Sequence, residues 1–180
     1  KRSAADFVSL LLKKRLLSSP PAFANTLAQH RATLDSRERE RAPASEVQMQ
    51  AAWDRSDDAS TDDESGEVVA EVLSTASRGQ APLTPEEKDL LDRLAAWSEE
   101  RRARPDARAQ ALIHWLDEVC RTPKGGWTDE RIIIFTEYRD TQKWLVDLLL
   151  THGFGGDGGE RIATLYGGMD TDERERTKAE

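Results

Sequence analysis

Arg131-Ile132-Ile133-Ile134-Phe135-Thr136-Glu137-Tyr138-Arg139-Asp140-Thr141 is the stretch on which the fold reading turns. Three isoleucines and a phenylalanine stand in a row, bounded by charge. A short, mostly β-branched apolar run reads as a strand covered on both faces, as in a parallel sheet. Thr141 to Leu150 then shows helical spacing, with Trp144, Leu145, Leu148 and Leu149 on one side. Residues 153–159 are glycine-rich, Ile162 to Tyr166 reads as a second strand, and Gly167-Gly168 turns the chain. Asp170 or Thr171 caps a last helix. Strand–helix–strand–helix order predicts a right-handed parallel crossover. Two strands alone leave unpaired edges, so the sheet is expected to need further strands from elsewhere.

Upstream of this block the pattern is helical. Ala4, Phe7, Val8, Leu11 and Leu12 share a face, and Lys13, Lys14 and Arg15 follow at the end favoured by the helix dipole. Ser18-Ser19-Pro20-Pro21 breaks the chain and restarts it, because serine caps a helix and proline suits its first turn. Phe23, Leu27, His30 and Leu34 continue a second helix to about Arg41, giving a helical segment over 1–41. Residues 42–83 are expected as a flexible acidic linker with a possible short helix at Val68–Leu73. Asp54, Asp57, Asp58, Asp62, Asp63 and Glu64 crowd a stretch with little apolar area to offset ordering entropy. A helical pair is predicted over 84–128, opened by the capping box Thr84-Pro85-Glu86-Glu87 and by Pro105-Asp106. The strand-bearing part occupies 129–180.

Composition bounds the function. The chain has 180 residues, 37% of them hydrophobic, and a net charge of −8. The charge divides into net +5 over residues 1–41, −8 over 42–105 and −5 over 106–180. An acidic total opposes indiscriminate nucleic-acid binding, while a basic helix still permits phosphate contact. No apolar run reaches membrane-spanning length. The lone Cys120 excludes a disulfide framework and suits a reducing cytoplasm. The chain opens at Lys1, inside a helical pattern, and is expected to be a piece of a longer protein.

Most chemical motifs fail. Gly153, Gly155 and Gly158 match G-x-G-x-x-G, but the loop leaves a helix and enters a strand, the reverse of the dinucleotide arrangement. No G-x-x-x-x-G-K-[ST] loop is present, and His30, His114 and His152 have no ligand spacing. Catalytic, cofactor-binding and metal residues are therefore expected to be absent from these residues. Trp97 and Trp144 fall at core-facing positions.

Three blocks carry a resemblance. Arg131–Thr141 resembles motif IV of superfamily-2 helicases, Leu165–Arg174 is similar to their motif IVa, and Pro105–Leu116 resembles the preceding helix of the Swi/Snf-like branch. Leu11–Pro20 also looks like the interlobe helices of bacterial Swi/Snf-like helicases of the RNA-polymerase-recycling and phage-defence (DISARM) types. The resemblance implies an α/β fold: part of a RecA-like parallel sheet, preceded by a mostly helical region with a disordered acidic linker. It implies a fragment of an ATP-dependent DNA helicase or translocase, inactive by itself. ATP and magnesium would be held by the missing lobe of the parent protein, and double-stranded DNA would be the partner. It also implies that Thr136, Arg139, Gly167, Gly168, Thr171 and Arg174 contact nucleic acid. The competing expectation is a non-enzymatic helical module with a degenerate RecA-like half, binding a protein.

Overall fold

The computed structural model describes residues 4–35, 44–58, 62–78 and 81–179. Among them are eight helices: α1 (Ala4–Ser18), α2 (Pro20–Asp35), α3 (Glu46–Asp58), α4 (Asp62–Ser77), α5 (Pro85–Arg101), α6 (Ala107–Cys120), α7 (Arg139–Thr151) and α8 (Thr171–Ala179). They contain no β-strand. The one β-type contact is an isolated antiparallel bridge between Arg121 and Trp127.

The expected parallel sheet is therefore corrected, and with it the α/β, partly RecA-like fold class. Residues 131–136 and 162–166 are non-helical, but form no ladder with each other or with anything else described. The apolar run gives each segment a side that packs. Ile132 and Ile162 both lie against the cluster of Leu116, Leu149 and Phe154 between α6 and α7. Side-chain anchoring alone does not bring the two backbones into hydrogen-bonding register.

A second correction concerns residues 42–83. Where a flexible linker was expected, α3 and α4 form and pack together. Met49 and Ala52 on α3, and Val69, Val72, Leu73 and Ala76 on α4, are buried with Phe7, Val8 and Leu11 of α1. The spacing 69, 72, 73, 76 is an apolar stripe at helical period. It suffices to close a core despite the acidic residues around it. The cluster at Asp57, Asp58, Asp62, Asp63 and Glu64 lies where side chains are outside the described set.

The local signals explain the helix ends. Ser19 stands between α1 and α2, and its hydroxyl accepts from the Ala22 amide at 3.3 Å, capping α2. Thr84 and Glu87 form the reciprocal capping box of α5. Asp106 caps α6 by accepting from the Ala109 amide at 2.8 Å. α7 stops at Gly153, which has φ +77°. There the Phe154 amide donates to the Leu149 carbonyl at 2.9 Å, and the Gly153 amide to that of Leu150 at 3.0 Å. This pair of bonds is a Schellman stop, and Phe154 packs on Leu149 as that motif favours.

α2 is the central element, touching α1, α4, α5 and α7. Phe23, Leu27 and Leu34 are buried along it. Trp97 of α5 meets Phe23 edge-on at 6.2 Å and remains half-exposed, whereas Trp144 is buried as its spacing predicts.

Candidate functional site

Two neighbouring surfaces gather the residues singled out in the sequence. The first is built around Tyr166. Arg139, at the start of α7, lies over the Tyr166 ring with its guanidinium carbon 3.5 Å from the centroid. It also donates to the Gln142 side chain. Gln142 in turn donates to the Leu165 carbonyl at 3.0 Å. Arg174 of α8 reaches back to the Tyr166 carbonyl at 3.1 Å. Two guanidiniums and an amide thus fix the 165–168 segment to α7 and α8. Gly168 takes φ +78° in the turn that makes this possible, a conformation costly for any residue with a Cβ.

Arg139, Arg174 and Gly168 therefore belong to one cluster with Gly167 beside it. Thr171 is the first residue of α8 and is exposed. The amides at that helix start are already engaged, since Asp170 accepts from Asp172 at 2.9 Å and from Glu173 at 3.3 Å. Thr136 stands apart from these five. Its hydroxyl donates to the Tyr138 carbonyl at 3.4 Å, and its neighbours face α1. Tyr166 itself was read only as a strand end; an aromatic residue between two arginine-bearing helices was the signal available for it.

The second surface is where α1 meets residues 134–141. Ser18, Ser19 and Thr141 form a hydroxyl cluster, with Thr141 Oγ1 2.6 Å from Ser18 Oγ and 2.8 Å from Ser19 Oγ. Arg108 of α6 donates to the carbonyls of Leu17 and, at 3.3 Å, Ser18. Arg15 is buried beneath Tyr138, with its guanidinium carbon 3.9 Å from the ring centroid. Burial pushes the Arg15 pKa down, and Tyr138, Asp140 and Glu137 oppose that. These contacts wall an open groove of about 500 Å³ that includes Lys14, Leu112, Ile134, Phe135 and Trp144. The buried Trp144 indole N–H has no hydrogen-bond partner among the described residues.

The rim of this groove is unusual. Ile133 is 78% exposed and Phe135 is 90% exposed. The backbone amides and carbonyls of residues 131–136 make no hydrogen bond among the described residues. Apolar side chains and unpaired backbone together on one non-helical segment are the features of an edge that takes a partner.

Among the described residues no group of three or more His, Cys, Asp and Glu side chains could hold a metal ion. No helix there is long and apolar enough to cross a membrane. No family model, no curated protein and no solved structure matches the chain. With no sheet formed and no related family found, the resemblance to Swi/Snf-like helicases does not hold.

Proposed function

We propose that this chain is a helical protein-interaction module. Its docking surface is the non-helical segment 131–136 together with the groove beside it. The observation that carries this reading is the exposure of Ile133 and Phe135 on a backbone without hydrogen-bond partners. The helices supply a rigid support. α6 and α7 hold the segment from behind through Ile132, and the α1–α2 junction closes one side of the groove. The lone Cys120 fits a reducing cytoplasm as the place of action.

A photo-reactive phenylalanine analogue at position 135, irradiated in cells, tests the reading. Discrete protein adducts are expected, and they should fade when Ile133→Ser is added. A chain that gives no adduct at position 135, and none above a control placed at the exposed Trp115, ends it.

One observation favours a second reading, contact with nucleic-acid phosphate. Arg139 and Arg174 converge on Tyr166, joining guanidiniums to an aromatic face. Under this reading the chain serves an ATP-driven translocase on double-stranded DNA, with ATP and magnesium held by other residues of that protein. Both arginines have internal partners, so phosphate would have to displace those contacts. Arg174→Ala should weaken DNA binding and reduce its salt slope by roughly one. An unchanged slope removes Arg174 from any such interface.

A further inference from the structure

We infer that the occupant of the 131–137 edge is a second copy of this chain, paired antiparallel about Ile134. The inference rests on the docking reading above and names its partner.

Exposure along the segment alternates. Ile132 packs inward and Ile134 is 39% exposed, while Ile133 and Phe135, at 78% and 90%, are the most exposed residues of the run. This period of two is that of a half-buried strand. An antiparallel pair of identical strands is related by a two-fold axis, so one choice of axis fixes every pairing. With the axis at Ile134, Ile133 lies opposite Phe135 of the other copy, and Arg131 lies opposite its Glu137. Both pairs occur twice. The backbone groups left open in one copy then bond to those of the other.

Charge selects this register. Arg131 is exposed and has no ion pair among the described residues. Glu137 attracts the Arg15 guanidinium and makes one loose side-chain contact, with Lys14 at 3.9 Å, between side chains 36% and 64% exposed. Such a contact yields at little cost. Moving the axis a full residue toward Ile133 sets Asp129 against Glu137 and Arg131 against Phe135, and moving it a full residue toward Phe135 sets Arg131 against Arg139 and Ile133 against Glu137. Like charges directly opposite one another destabilise a strand pair, and a slip also separates the apolar partners. The axis at Ile134 unites opposite charges and apolar groups at once.

Sedimentation equilibrium of the 180-residue chain tests the inference. A reversible monomer–dimer equilibrium is expected. Arg131→Glu alone, or Glu137→Arg alone, should weaken the dimer about tenfold, since each places two like-charge pairs across the axis. The double variant carrying both changes should restore it. Both substitutions lie on exposed side chains, and circular dichroism should report unchanged helicity in all three variants. A wild-type chain that is monomeric at every concentration overturns the inference. So does a dimer indifferent to the single changes, or one that the double change fails to restore. Photo-adducts from position 135 separate the two levels: a monomeric chain that forms adducts with a different protein keeps the docking reading and discards the second copy, whereas a chain with neither dimer nor adducts loses both.

Discussion

Thr141 Oγ1 donates to Ser19 Oγ at 2.8 Å across 122 positions of sequence. Thr141 lies in the first turn of α7 and Ser19 caps α2, and both are buried. Thr141→Val keeps the shape and leaves the serine hydroxyls without this partner. Destabilisation by about 1–3 kcal/mol is expected. Urea unfolding measures it, and Ser19→Ala in the same background should be less than additive, because the two side chains share one interaction.

Gly153→Ala should destabilise the chain by roughly 1–2 kcal/mol, the cost of placing a Cβ in the left-handed region. The φ of +77° at this position is the cause. A new Cβ would also stand 3.3 Å from an Arg121 guanidinium nitrogen, the mobile end of a long side chain. Strain in the backbone therefore outweighs the contact, and a lowered melting temperature with the helical spectrum retained is the outcome to look for.

Stability should fall on mild acidification because of His30. Burial holds its pKa below the ordinary value of 6.5. Between the two values the unfolded chain binds the proton and the folded chain does not. Its stability contribution is therefore full above the ordinary value and declines as pH drops through it, flattening below the folded pKa. Denaturant midpoints measured from neutral pH to mildly acidic pH should show this slope. The slope should shrink in His30→Leu, whose apolar side chain needs no proton.

Thr84→Ala removes the capping box of α5 and should cost about 1 kcal/mol. Glu87 loses its reciprocal role, since its carboxylate accepts from the Thr84 amide at 2.8 Å only while the box is closed. Amide exchange in the first turn of α5 reports this directly. Protection lost there, with α2 unaffected, is the expected pattern.

Much of the helical fold was legible because its signals are local. The serine–proline break, Thr84 with Glu87, Asp106, and Gly153 each act within a few residues, and each marks a helix end in the structure. α3 and α4 were hidden by composition, because acidic residues dominate the stretch and mask the stripe at Val69, Val72, Leu73 and Ala76. The strand reading of Ile132–Phe135 confused an apolar, β-branched run with a sheet. Pairing is a relation between distant segments, and no residue in the run encodes its partner. The cluster of Arg139, Arg174 and Tyr166 is non-local in the same sense. Its arginines carried a signal in the sequence, and the ring that joins them carried a weaker one, an aromatic residue between two arginine-bearing helices.

The charges at Arg131 and Glu137 bear on solubility as well as on partner choice. An exposed run of isoleucine and phenylalanine is the kind of segment that nucleates fibrils, in which identical strands stack parallel and in register. In that geometry Arg131 faces Arg131 and Glu137 faces Glu137, and repulsion repeats at every layer. The same two side chains attract across a two-fold axis. They act as gatekeepers at the ends of the run, favouring closure into a pair over growth without limit.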